Sequence, residues 1–258
     1  MVQGICGLSA IPMRSEPSDK AEMVNQVVFG EGYTVLEEHK KWLHVSLIHD
    51  NYEGWIDRKQ FMLCESNFWN EVQHPIPVCT ELIEIVTRKN TGVYFPVFLG
   101  SSLPYFNKDT QTLHIYDQEF HYQGPSNAGL MEKSRLIDYA YQYLNAPYLW
   151  GGRTPFGIDC SGFVQMVYKI CGYQLPRDAS QQALQGYTLS FIEEAEPGDL
   201  AFFDNDEGQI IHVGIMLQDN YILHASGKVR LDRLDQTGIF NSELGTHTHK
   251  LRVIKKII

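Results

Sequence analysis

One cysteine and two histidines stand in settings that suit nucleophilic catalysis. Cys160 follows Asp159 and opens an apolar run in which Phe163, Val164, Met166, Val167 and Ile170 recur with helical spacing. The stretch before it, residues 148–158, is dense in Gly and Pro and cannot be a helix interior. Asp159 is a good N-cap, so the pattern predicts Cys160 in the first turn of a buried helix. The positive end of the helix dipole would favour a thiolate there. A thiolate needs a base, and the base needs an orienting group. His212 lies in the apolar run 210–216, 52 residues after the cysteine, and His224 ends the run 221–224, 12 residues further on. Both runs read as strands. Neighbouring antiparallel strands would set the two imidazoles side by side, with His212 facing the cysteine. Taken singly, each is more simply a buried cysteine or a satisfied core histidine; the ordered set favours chemistry.

That set has a recognisable order. Pro147-Tyr148-x-Trp150-Gly151-Gly152 is followed by Asp159-Cys160-Ser161-Gly162-Phe163, Pro197-Gly198-Asp199-Leu200, His212-Val213-Gly214-Ile215 and His224-Ala225. Together these resemble the NlpC family of cell-wall cysteine peptidases, over residues 130–258. The resemblance implies an α+β, papain-like catalytic domain with a Cys-His-His set: Cys160 as nucleophile, His212 as base, His224 as orienting third member. It implies cleavage of amide bonds in peptidoglycan stem peptides, after γ-D-glutamate, without a cofactor or metal. A thiol paired with imidazolium would have its pKa lowered from about 8.5 by several units. Asp159 and Ser161 would touch substrate, beside their plainer roles as cap and first-turn hydroxyl. Tyr148 would help the Cys160 backbone N–H stabilise the oxyanion. Arg177-Asp178-Ala179-Ser180 resembles the family's Arg-Asp-Ser segment. Ala179 stands where Ser is common, which leaves open whether Asp178 or Ser180 meets the D-glutamyl carboxylate.

The elements that must position these residues follow from patterning. Residues 133–144 read as a helix with Leu136, Ile137, Ala140, Tyr143 and Leu144 on one face. A short helix begins near residue 175, with Asp178 as a cap. Strands are expected at 201–203, 210–217, 221–224 and 251–254, and the His247-x-His249 pair reads as a solvated turn rather than a metal site. Residues 124–129 are a run of turn formers and mark the domain boundary.

Residues 1–63 carry short alternating runs split by turn residues and resemble a bacterial SH3-like barrel. Trp42 and Trp55 are expected in its core and Tyr52 at its surface. Residues 64–125 read as a second, degenerate SH3-like barrel or a β-rich linker, and Val97-Phe98-Leu99-Gly100 echoes Val27-Val28-Phe29-Gly30 at a spacing of 70. A barrel ahead of an NlpC-type domain resembles the γ-D-glutamyl-L-diamino acid endopeptidases. In that subgroup the first barrel walls the active site, and a carboxylate and a tyrosine bind a free L-Ala amino group. Tyr52 is the candidate tyrosine; Glu16, Glu22 and Glu53 are the candidate carboxylates, Glu16 being preferred. The implied substrate is a murein tripeptide or tetrapeptide, L-Ala-γ-D-Glu-diamino acid. A wall-binding protein acting on intact polymer is the rival expectation.

Composition narrows the classes. With 258 residues the chain holds one large domain or two to three small ones. A formal net charge of −10 argues against nucleic acid or an anionic membrane as partner. Five cysteines, an odd number without Cys-x-x-Cys, suggest neither a disulfide framework nor a zinc ribbon. The first ten residues lack a basic segment followed by a long apolar one, so no signal peptide or membrane span is expected. The expectation is a cytoplasmic monomer, or a periplasmic protein had a signal been removed.

Overall fold

The computed structural model describes residues 2–65 and 67–258. The chain divides into two compact units, Met1–Leu130 with Trp150–Thr154, and Met131–Leu149 with Pro155–Ile258. No helix among the described residues is long and apolar enough to cross a membrane.

Unit one begins with β1 (Gln3–Ile5), β2 (Ala10–Arg14), β3 (Met23–Val28), β4 (Gly32–Glu38), β5 (Trp42–Leu47), β6 (Glu53–Asp57) and β7 (Met62–Leu63). These form one antiparallel sheet in the order β3-β2-β6-β5-β4-β1-β7. Alternate residues point to opposite faces of a strand, so one face of β5 and β6 buries Leu43, Val45, Leu47 and Ile56. This corrects the expectation for the tryptophans. Trp42 and Trp55 have the opposite parity and stay partly exposed, Trp55 lying against His39 and His44. Tyr52 is half-buried and packs against the barrel core rather than standing clear of it.

Beyond α1 (Phe68–Glu71) come β8 (Val78–Cys79), β9 (Ile83–Arg88), β10 (Tyr94–Phe98), β11 (Thr112–Ile115), β12 (Gln118–Tyr122) and β13 (Ser126–Asn127). Strands β9 to β12 form a second antiparallel sheet, ordered β10-β9-β12-β11. The echo seen in the sequence is a repeated turn. Gly30 and Gly100 both have positive φ, 75° and 85°, where glycine avoids a Cβ clash. Their N–H groups donate to the carbonyls of Cys6 and Cys79, at 2.9 and 2.8 Å. The next residue differs. Glu31 accepts from Val28 N–H at 3.0 Å, and Ser101 accepts from Phe98 N–H at 3.0 Å. The Glu31 carboxylate also receives both arms of Arg153, at 2.7 and 2.9 Å, within β14 (Arg153–Thr154), and that arginine is fully buried.

Unit two contains α2 (Ser134–Gln142), β15 (Gly157–Ile158), α3 (Cys160–Ile170), α4 (Ala179–Gln182) and β16 (Tyr187–Leu189). Six more strands follow: β17 (Leu200–Asp204), β18 (Ile210–Met216), β19 (Tyr221–Ser226), β20 (Lys228–Leu234), β21 (Gly238–Asn241) and β22 (Thr246–Lys256). Strands β17 to β21 pair consecutively apart from β22, which lies between β16 and β17 and pairs with β21 as well, closing the sheet into a ring. Ala201, Phe203, Met216, Ile222, Leu234, Ile239 and Ile254 form a core cluster of this sheet. Helix α3 is buried along its whole length and packs on β18 and β19. Strand β22 corrects the reading of residues 247–249 as a turn, and β20 and β21 lie where the alternation gave no strand.

Candidate active site

Cys160 is the first residue of α3, as its pattern predicts. The Asp159 carboxylate caps the helix by accepting from Gly162 N–H at 2.7 Å. Arg177, itself buried, locks that cap: its Nη1 donates to Asp159 Oδ1 and to Ser161 Oγ, both at 2.9 Å. Asp159 and Ser161 are therefore engaged by the protein's own guanidinium. Gln182 ties the same turn to α4 by donating to the Ser161 carbonyl at 3.0 Å. Asp178 occupies the N-cap position of α4, although its side chain makes no capping bond, and Ser180 is exposed. Tyr148 is half-buried, and burial with the nearby Cys160 and Asp159 keeps its hydroxyl protonated.

Strands β18 and β19 pair with Gly214 opposite His224. A Cβ on Gly214 would come within 2.7 Å of the Ile222 side chain and 2.9 Å of the His224 Cβ, so the glycine two residues after His212 makes room for both neighbours on β19. The result is a hydrogen-bonded pair, His212 Nε2 to His224 Nδ1 at 2.8 Å. His224 Nε2 reaches Asp232 Oδ2 on β20 at 3.0 Å. An ionised carboxylate only accepts, so His224 donates from Nε2 and its Nδ1 receives the Nε2 proton of His212. That leaves Nδ1 of His212 as the lone pair for proton abstraction. The Cys160 thiol lies against the backbone amide of Val213, the residue after this base.

The electrostatics differ from the expected thiolate. Burial, with the Asp159 charge beside it, pushes the Cys160 thiol up to about 12, and the Val213 amide of β18, Arg177 and the Ser161 amide offset only part of this. Burial and the neighbouring imidazoles hold His212 well below its ordinary value of 6.5. Burial also lowers His224, against the opposing pull of Asp232. Burial raises Asp232, yet bonds from His224 and Arg230 bring it below the usual carboxylate value. Burial therefore favours the neutral thiol and the neutral imidazole. The nucleophile forms by proton transfer to His212.

Nitrogens of His212, His224 and His249 all lie within 4.8 Å of one another, a spacing that could hold a metal ion. Ring orientation argues otherwise. His249 stacks on His212 with centroids 4.2 Å apart and planes at 26°, so their in-plane lone pairs do not converge. His212 Nε2 and His224 Nδ1 are already engaged with each other.

Local sequence pattern does not mark Asp232, Arg177 or His249 for the site. Arg177 enters there only as part of the Arg-Asp-Ala-Ser segment. Asp232, between Leu231 and Arg233, acquires its place only when β20 is paired with β19.

Residues 145–247 match the NlpC/P60 family, and residues 13–61 match the bacterial dipeptidyl-peptidase SH3 domain. A probable endopeptidase NlpC from Escherichia coli is 39% identical over 112 residues, 41% of this chain and 72% of that protein. The chain belongs to the NlpC/P60 family of cysteine peptidases. A γ-D-glutamyl-L-lysine dipeptidyl-peptidase from Bacillus subtilis is 29% identical over 237 residues, 85% of this chain and 78% of that one. The crystal structure of an NlpC/P60 family protein from Bacillus cereus shares the fold with a TM-score of 0.84 at 19% identity, covering 99% of each chain. This NlpC/P60 chain thus carries an SH3-like barrel ahead of an α+β peptidase domain.

Proposed function

We propose that this NlpC/P60 peptidase hydrolyses the γ-D-glutamyl-L-diamino acid bond of peptidoglycan stem peptides with a free N-terminal L-Ala. It releases L-Ala-γ-D-Glu, as a step of cell-wall peptide recycling in the cytoplasm. The observation that carries this reading is the joint match: a peptidase domain and a dipeptidyl-peptidase SH3 domain in one chain, with a relative of that named activity aligned over 85% of it.

In this reading Cys160 Sγ attacks the γ-glutamyl carbonyl carbon while its proton passes to His212 Nδ1. The Cys160 N–H and the Tyr148 hydroxyl receive the oxyanion. The C–N bond then breaks, and His212 returns the proton to the leaving α-amine of the diamino acid. Water, deprotonated by the same imidazole, hydrolyses the thioester to free γ-carboxyl and thiol. His224 and Asp232 hold His212 in the tautomer that accepts at Nδ1. Selectivity for a free amino group is assigned to the barrel, with Tyr52 and one of Glu16, Glu22 and Glu53.

The test incubates the protein with L-Ala-γ-D-Glu-diaminopimelate, its lysine analogue, their N-acetylated forms and intact sacculi, with products identified by mass. Free tripeptides should be cut at the γ-glutamyl bond and acetylated ones at least about tenfold more slowly, since acylation leaves a charged partner unpaired. Cys160→Ala should abolish all turnover while remaining folded. Equal kcat/KM for free and acetylated peptide, or preferential cleavage of sacculi, would overturn the recycling assignment.

A further inference from the structure

The site contains a third imidazole that the chemistry above does not use. His249 lies on β22, two strands away from His212, with β17 between their strands. Its ring nevertheless lies nearly parallel to that of His212, with centroids 4.2 Å apart. It also meets the edges of His224 and Phe203, at 5.7 and 6.0 Å. Phe203 contacts His212 as well, at 5.7 Å. The base is therefore bounded by an edge-on imidazole, a tilted phenyl ring and a stacked imidazole.

The backbone is shaped to achieve this. In the β21–β22 ladder Ile239 pairs with His249 and Phe240 with His247, so Thr248 is an extra, unpaired residue. Such a bulge redirects side chains and is frequent beside active sites. Its effect separates the two histidines. His247 turns to Asp235 at 2.8 Å, at the surface, while His249 is placed against His212. The Thr248 hydroxyl bonds His249 Nδ1 at 2.9 Å, which fixes the ring.

We infer that His249 is a positioning residue for the general base, acting as a neutral aromatic plate on which the His212 ring is held. His212 gains a positive charge only while it carries the thiol proton. A stacked ring restricts rotation of the His212 ring about χ2, and a charged neighbour there would repel it. The plate has to be uncharged, and burial with His224 nearby lowers His249 to about 4, so it is neutral at physiological pH. Holding the ring where it takes the thiol proton acts on kcat rather than on substrate affinity.

The inference rests on Cys160 and His212 being nucleophile and base, and the experiment separates the two claims. Steady-state hydrolysis of the free tripeptide is measured beside the rate of Cys160 alkylation by iodoacetamide, which needs no peptide. His249→Ala should lower kcat about tenfold with KM nearly unchanged, and slow alkylation by a similar factor. His249→Phe, which keeps a ring but no nitrogen, should recover most of both. Thermal unfolding monitors the fold, and His249→Leu replaces the alanine variant if that one does not fold. Wild-type kcat and alkylation in the folded, ring-less variant would overturn the inference. So would equal losses in the Phe and ring-less variants at wild-type stability. Alkylation unaffected by His212→Ala would instead remove the nucleophile–base pair itself.

Discussion

Each unit of the molecule buries a polar network, and the two are built on opposite terms. In unit one Arg153 and Glu31 are joined by two charge-assisted bonds, with Gln26 accepting from Arg153 Nη1 at 2.8 Å and Val28 donating to the carboxylate. Neither side chain is more than 3% exposed. In unit two Cys160, His212 and His224 are equally enclosed but uncharged, and the one buried carboxylate of the chain of bonds, Asp232, stands at its far end. A fixed ion pair holds its segment in place because neither partner can leave the other. A neutral imidazole, lowered by burial, keeps its lone pair free to take the thiol proton during attack. The comparison teaches that burial alone does not mark function: unit two also buries an ion pair, Arg177 with Asp159, and there it holds the cap beside the neutral groups that react.

Removing one partner exposes the difference most sharply. Glu31→Ala leaves a guanidinium buried and unpaired, which should cost about 3–5 kcal/mol of stability. Urea unfolding measures it, and a change under about 1 kcal/mol would mean that the pair is not the fixed lock described. The corresponding cut in unit two should act on rate instead. His224→Gln keeps one hydrogen bond to His212 and should lower kcat about tenfold while unfolding near the parent temperature. A His224→Gln protein as unstable as Glu31→Ala would break the contrast.

The smallest effect is in the pH profile. The active base is neutral His212, and its pKa in the fold lies below the ordinary 6.5. Activity is therefore retained as pH falls through 6.5 and lost only as it passes the lowered value, so the acid limb of kcat/KM should lie well below 6.5. Stability moves in the same direction. Below about 6.5 the unfolded chain takes up protons that folded His212, His224 and His249 refuse, so the unfolding temperature should decline from there toward pH 4. An acid limb at or above 6.5 would show that the resting base is charged, like the network of unit one.

The nucleophile end of the site was legible because its signals are local. Asp159 before a helical run locates Cys160, and apolar runs around His212 and His224 mark strands whatever they pair with. The remainder depends on cross-strand register. Asp232 acquires its role only from β20 lying beside β19, and His249 only from the bulge at Thr248. Arg177 reaches Asp159 across 18 residues of chain. The push on the Cys160 thiol has a related origin: the helix dipole is visible in the sequence, but the desolvation that opposes it is set by how deeply α3 is packed. In the barrel, the tryptophans misled because size suggested burial, whereas the parity of Leu43, Val45 and Ile56 decides which face is inside.

Strand β22 closes the ring of unit two by pairing with β17 on one side and with β16 and β21 on the other. It is also synthesised after Cys160, His212 and His224. A ribosome-bound chain has therefore already made its nucleophile and both histidines of the hydrogen-bonded pair while β17 and β21 still present open edges. Open edges are templates for unwanted pairing, so this interval is the one in which a nascent chain most needs a chaperone. The same order of synthesis delays the stacked imidazole until the ring shuts.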